Sequence, residues 1–159
     1  MKALAITVSN RASAGIYPDK SGPVLVSLLQ EAGCEKVDGP VVIPDGDPVE
    51  AALRDGVRDG YDVIVTTGGT GLTPMDLTPE MTRRVIEREI PGIAEAVRQI
   101  NRDKVPTAIL SRGVAGVAGG TLIVNLPGST GGVRDGMAVL TPILRHAVDQ
   151  IHGGDHPRS

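Results

Sequence analysis

Three short aliphatic segments constrain this chain most: residues 2–9 (KALAITVS), 62–67 (DVIVTT) and 121–126 (TLIVNL). They lack the in-and-out alternation of a strand with one wet face. They read instead as strands covered on both faces, the pattern of a parallel sheet between helical layers. The chain has no Phe or Trp and two Tyr, so such a sheet must be packed with Val, Ile, Leu and Ala.

The intervening segments predict helices. Ser21 is placed to cap a helix with Val24, Leu25, Leu28, Leu29 and Ala32 on one face, stopped by Gly33. Residues 37–43 predict a second strand, interrupted by Gly39 and Pro40. Asp47 then caps a helix, with Pro48 at its first position and Glu50 completing a capping box. Thr78-Pro79 starts a helix through Ile86, residues 93–101 predict another, and Thr141-Pro142 starts the last. Residues 114–118 and 121–126 flank Gly119-Gly120 as a hairpin. The expectation is one α/β domain over residues 1–152, a three-layer α/β/α sandwich on a mostly parallel sheet. A late antiparallel edge strand makes the sheet mixed, and a frayed tail covers 153–159.

Charge and composition exclude several functions. Net charge is −3 and the pI is near 5.6, so no basic field draws a polyanion, and few aromatics exist to stack bases. Nucleic acid is not an expected partner. A single Cys34 excludes an intrachain disulfide framework and fits a reducing compartment. Its surroundings in sequence suggest an idle thiol rather than a nucleophile. No run reaches the ~20 apolar residues of a membrane span, and the expected location is the cytoplasm. His146, His152 and His156 are too loosely spaced for a metal site and read as a solvated tail.

Ligands of open α/β sheets bind beyond the carboxyl ends of the strands. Four loops follow predicted strands here: Ser9-Asn10-Arg11, Pro44-Asp45-Gly46-Asp47, Gly68-Gly69-Thr70-Gly71 and Pro127-Gly128-Ser129. If those strands are parallel, all four loops share one edge. Residues 67–71 can aim backbone N–H groups at an anion. The loop is no Walker A motif, because no Gly-Lys-Ser/Thr follows, and Pro74 breaks G-x-G-x-x-G. Without that lysine, polyphosphate charge must fall to a metal ion, to Arg, or to both. Taken singly, Asp45 shapes a turn and Asp76 caps a helix through Thr78. Beside one glycine loop, the two read as a Mg²⁺-holding pair. Asp19, Ser21 and Gly22 can seat an anion at a helix start, or merely cap it. Arg112, after Ser111, can pair with a phosphate or a carboxylate, or stand exposed with no ligand.

Taken together, Ser9-Asn10-Arg11-Ala12-Ser13-Ala14-Gly15, Asp19-Lys20-Ser21-Gly22, Thr66-Thr67-Gly68-Gly69-Thr70-Gly71, Asp76-Leu77-Thr78-Pro79-Glu80, Ser111-Arg112 and Leu126-Pro127-Gly128-Ser129 form an ordered set. The chain resembles the MogA/MoaB family of molybdenum-cofactor biosynthesis proteins from about residue 3 to about 150. The resemblance implies a homotrimer that transfers the adenylyl group of ATP to molybdopterin with Mg²⁺. It also implies hand-over of the product to a molybdate-inserting enzyme. Its essential carboxylates match Asp45 and Asp76. Ser9, Asp19, Ser21, Thr67, Gly68, Gly69, Thr70, Gly71, Ser111, Arg112, Pro127, Gly128 and Ser129 are then expected to bind the substrates. Residues 71–75 look more like the MoaB branch, whereas 9–20 and 106–112 look more like MogA. A non-catalytic MoaB-type molybdopterin carrier is the alternative.

Overall fold

The computed structural model describes residues 1–154. Its centre is a six-stranded sheet with strand order β2-β1-β3-β6-β5-β4. Strands β1 (Lys2–Val8), β2 (Lys36–Ile43), β3 (Val63–Thr67) and β6 (Thr121–Leu126) run parallel, with β1 between β2 and β3. Strand β5 (Ala115–Ala118) turns back antiparallel on β6. Beyond it lies a two-residue strand, β4 (Arg88–Glu89), also antiparallel to its neighbour. The mixed, mostly parallel α/β sheet is therefore present. Its antiparallel side is one strand wider than expected, because the chain after residue 83 pairs with β5.

The buried runs divide residue by residue between two cores. Ala3, Ala5, Val63, Val65, Leu122 and Val124 face one side of the sheet. Leu4, Ile6, Ile64 and Ile123 face the other. On the first side pack α2 (Ser21–Glu31), α5 (Pro91–Gln99), α6 (Thr130–Leu140) and α7 (Leu144–Ile151), through Leu25, Val97, Met137 and Leu144 among others. On the second pack α3 (Asp47–Arg58) and α4 (Thr78–Arg83), through Val49, Leu53 and Met81. A one-turn helix, α1 (Asn10–Ser13), follows β1 directly.

Several local expectations differ from the structure. Helix α6 was not expected at all, and α7 begins at Leu144 rather than Thr141, which caps α6. Gly136 explains the disguise: a Cβ there would stand 2.4 Å from a Leu126 methyl, so only glycine lets α6 settle onto β6. The capping box does not form. Gly46 is the N-cap of α3, and Glu50 is turned toward Arg54 and Arg84 instead. Ser21 is the first residue of α2, and Asp19 Oδ1 accepts from the Gly22 amide in its place. Strand β2 runs through Gly39 and Pro40, and its register shifts opposite residues 4–6 of β1. His156 and most of the expected tail lie outside the described residues. His152 bonds the Gly120 carbonyl and lies 3.3 Å from Asp62.

A small polar network is buried at the centre, built around Asn125. Asn125, 4% exposed, donates from Nδ2 to Thr66 Oγ1 and Thr82 Oγ1 and accepts from the Val114 amide. Truncation orphans three groups, each costing of order 1–3 kcal/mol if water does not reach it. Asn125→Ala is expected to lower unfolding free energy by about 2–3 kcal/mol in urea titrations. At the opposite sheet edge, Tyr61 donates to Asp38 and carries Lys2 Nζ 4.2 Å from its ring centre. The Asp38 bond and partial burial push the Tyr61 hydroxyl up to about 12. A raised phenol stabilises the fold fully below its ordinary value near 10.0 and loses that contribution as pH rises through about 12. Tyr61→Phe should abolish this alkaline loss, as followed by denaturation midpoints across that window.

Candidate functional site

Because β1, β2, β3 and β6 are parallel, the four loops after them meet at one edge. They enclose a cleft of about 1180 Å³. Among the expected site residues, Ser9, Asp19, Ser21, Asp45 and Thr67 line it, as do Gly68, Gly69, Asp76, Gly128 and Ser129. Thr70, Gly71, Ser111, Arg112 and Pro127 do not. Two cations missed in the sequence reading, Arg11 and Lys20, also line the cleft, as does Tyr17 at 48% exposure. Their position beside two of the converging loops was the available signal.

The glycine turn is a product of crowding. Gly68 has φ +100°, and a Cβ there would lie 2.2 Å from the Val8 carbonyl oxygen. At Gly69, φ is +71°, and a Cβ would lie 2.0 Å from Thr78 Oγ1 and 2.5 Å from Asp45 Oδ2. The turn thus rests on the end of β1 and on a carboxylate. Gly68 does not offer its amide to a ligand, since it donates to Leu126 O at 3.0 Å. The amide cradle expected over 68–71 is shortened accordingly. The Gly69, Thr70 and Gly71 amides have no protein acceptor among the described residues.

Both acidic residues sit against this turn. Asp45 is tightly held: Gly46 N donates to Oδ1 at 2.7 Å, Thr78 Oγ1 to Oδ1 at 3.1 Å, and Leu77 N to Oδ2 at 3.0 Å. Asn10 Oδ1 in turn accepts from the Asp45 amide. Of the roughly four lone-pair positions of a carboxylate, three are taken. Asp76 is freer, with both of its donors, Thr73 N and Thr73 Oγ1, on Oδ2 at 3.0 and 2.8 Å. A Cβ on Gly71 would stand 2.9 Å from that same oxygen. No group of three or more His, Cys, Asp and Glu gathers among the described residues. The donor set suits Mg²⁺, which takes one or two carboxylates and completes its shell with water and phosphate oxygens. Asp76 has the larger free capacity for it.

The remaining walls are capped helix starts. Ser9 Oγ accepts from Ala12 N, and Ser129 Oγ accepts from Gly132 N, so both hydroxyls are engaged in capping. Asp19 Oδ2 accepts from Thr7 Oγ1 at 2.8 Å. Thr67 Oγ1 donates to Pro127 O at 2.7 Å, joining the ends of β3 and β6. Arg112 and Ser111 lie on a separate depression of about 360 Å³. The Arg112 guanidinium, expected to meet a phosphate or carboxylate of a ligand, bonds the Glu80 carboxylate and the carbonyls of Gly71 and Asp76. That pairing holds the Glu80 carboxyl below its ordinary range and raises Arg112 further. Cys34 is buried, and burial raises its thiol pKa, as expected of an idle thiol.

A mostly parallel sheet with a glycine turn, three carboxylates and two cations at its carboxyl edge defines an α/β protein with a polar cleft beyond its strand ends. Residues 4–146 match the family model described as "Probable molybdopterin binding domain", and the chain belongs to that family. It is 39% identical over 153 residues to the molybdenum cofactor biosynthesis bifunctional protein of Chlorobaculum tepidum, covering 95% of this chain and 48% of that protein. It therefore spans about half the length of the bifunctional relatives that it matches. It is 38% identical to the molybdopterin adenylyltransferase of Helicobacter pylori, covering 93% of this chain and 86% of that one. The solved molybdopterin biosynthesis Mog protein of Mycobacterium ulcerans superposes with a TM-score of 0.90 at 51% identity, over 94% of this chain and 98% of that chain.

The turn yields a stability test. Gly69→Ala combines a left-handed backbone, costing about 1–2 kcal/mol, with the clash on Thr78 and Asp45. It should lose at least about 2 kcal/mol in urea unfolding. Gly131→Ala, whose added methyl meets nothing, should stay within about 0.5 kcal/mol of the parent or gain stability.

Proposed function

We propose that this chain is a molybdopterin adenylyltransferase: ATP and molybdopterin give adenylyl-molybdopterin and pyrophosphate, with Mg²⁺. The observation that carries this reading is the seating of two carboxylates, Asp45 and Asp76, on one glycine turn inside a cleft large enough for two ligands. Its volume of about 1180 Å³ exceeds the ~300–1,000 Å³ of ordinary single-ligand pockets. The names of the similar proteins point the same way.

The terminal phosphate of molybdopterin is already anionic, so an oxygen of it can attack the α-phosphorus of ATP without a strong base. A new P–O bond forms to that phosphorus, the bond to the bridging oxygen of the β-phosphate breaks, and pyrophosphate leaves. What the protein must supply is alignment and charge neutralisation. Mg²⁺, held by Asp76 and by the remaining lone pair of Asp45, would screen the crowded phosphate oxygens. The free amide of Gly69 and the side chains of Arg11 and Lys20, all on the cleft wall, bind phosphate oxygens. Ser9, Asp19, Ser21 and the Gly128-Ser129 turn bound the space for the two ring systems.

The homotrimer and a cytoplasmic setting belong to the same proposal. Ile100, Val105, Ile109 and Leu110 stand 44–51% exposed around the turn Pro106–Leu110, a surface suited to contact between copies. Hand-over of the product to a molybdate-inserting enzyme follows from the product's chemistry, since an activated pterin in water is prone to hydrolysis.

Incubation with molybdopterin, ATP and Mg²⁺, followed by mass analysis of the pterin, is expected to show the adenylylated product. Bound but unmodified pterin would instead establish a carrier, and ATP loss without pterin a hydrolase. Asp76→Asn is expected to cut turnover by about 100-fold or more with the melting temperature retained. Undiminished turnover would remove Asp76 from the mechanism.

A further inference from the structure

The segment carrying Asp76 has little support of its own. Between the glycine turn and α4 it bulges into solvent, with Leu72 63% and Met75 64% exposed. Its internal hydrogen bonds join only Thr73 and Asp76. Such a loop, left alone, would sample many conformations, and ordering it costs roughly 1–2 kcal/mol per residue. Yet it holds the carboxylate with the freer oxygen in the cleft.

The ordering comes from behind. Arg112 lies outside the cleft and reaches the back of this loop with its whole fork. Nε donates to Gly71 O at 2.9 Å, and one terminal nitrogen donates to Asp76 O at 2.7 Å. The other meets both Glu80 oxygens, at 3.1 and 2.7 Å. The Arg112 backbone amide donates to Thr70 O at 2.9 Å. One residue thus ties both ends of residues 71–76 to the first turn of α4. Arg112 is itself braced, because Arg98 of α5 donates to the carbonyls flanking it, Ser111 O at 3.3 Å and Gly113 O at 3.0 Å. A planar guanidinium can satisfy carbonyls and a carboxylate together, whereas an ammonium has no comparable fixed fork.

We propose that Arg112, braced by Arg98 and paired with Glu80, is a positioning residue for adenylyl transfer: it closes residues 71–76 into a ring and so fixes the Asp76 carboxylate. It touches no substrate, and this role rests on the adenylyltransferase reading. A misplacement of about 1 Å in a group that aligns reactants can cost about 100-fold in rate.

The test compares wild type with Arg112→Ala, Arg112→Lys and Glu80→Gln, below the melting temperature of the weakest variant. Arg112→Ala is expected to lower kcat by about 10- to 100-fold and to raise the half-saturating Mg²⁺ concentration, with the KM for molybdopterin little changed. Millimolar guanidinium, well below denaturing concentrations, should restore part of that rate. Arg112→Lys should fall between wild type and Arg112→Ala, and Glu80→Gln should show the smallest loss. Hydrogen exchange should quicken in residues 70–78 of Arg112→Ala while the β3 amides keep their protection. Wild type that turns over, alongside Arg112→Ala with the same kcat and Mg²⁺ response, overturns the inference and leaves the function standing. A rate loss without guanidinium rescue or any Mg²⁺ shift also overturns it, because it marks general destabilisation. Wild type that forms no adenylylated product refutes the adenylyltransferase reading, and the catalytic role of Arg112 goes with it.

Discussion

The cleft depends on how closely two pieces of backbone approach at its floor. Gly68 sits where any side chain would strike the Val8 carbonyl, and Gly69 sits where one would strike Asp45 and Thr78. These contacts join the end of β1, the loop after β2 and the start of α4 to the loop after β3. Gly128 closes the fourth side, since a Cβ on it would lie 3.2 Å from Gly68 Cα. Parallel strands bring the loops to one edge, but glycine lets them interlock there. The floor is consequently backbone and short side chains, which lose little conformational freedom when a ligand enters.

Charge in the cleft is arranged by depth of engagement. Asp45 is saturated with donors on three of its positions and acts as much to bind α4 to the loop after β2 as to meet a ligand. Asp76 is anchored through one oxygen only. Arg11 and Lys20 stand on the opposing loops. Three carboxylates, Asp19, Asp45 and Asp76, stand with two cations, so the cleft keeps a slight formal negative balance that a divalent cation arriving with a polyanion would offset. That balance suits a site whose substrates carry several phosphate charges at once.

How much of this was legible in the sequence follows from the kind of signal each feature leaves. Three aliphatic runs made the parallel order readable, and the parallel order made the meeting of four loops readable. Asp45 and Asp76 drew notice because a glycine loop without a lysine needs charge from elsewhere. Helix α6 left no such mark, because Gly131, Gly132 and Gly136 remove its propensity and Gly136 is there for contact with Leu126 rather than for the helix. Strand β4, with two residues, has no pattern to find. Arg112 was visible as a residue but not as a strut. A guanidinium serves a phosphate or a set of carbonyls equally well, and only the fold decides which stands in front of it. The capping box at Asp47 failed because the helix starts one residue early: Gly46 is the cap, so Glu50 falls one position too far along and turns to Arg54 and Arg84.

The buried Asn125 has a consequence for assembly. Adjacent parallel strands of Val, Ile and Leu offer one another nearly equivalent partners at every offset of two residues, so aliphatic packing alone discriminates weakly between them. Asn125 breaks that degeneracy. Only when β6 stands level with Thr66 of β3, and α4 brings Thr82 over it, are all of its hydrogen bonds made. At any other offset an amide is stranded among hydrocarbons. The network therefore marks the correct register, penalising any offset in which β6 and β3 are mispaired.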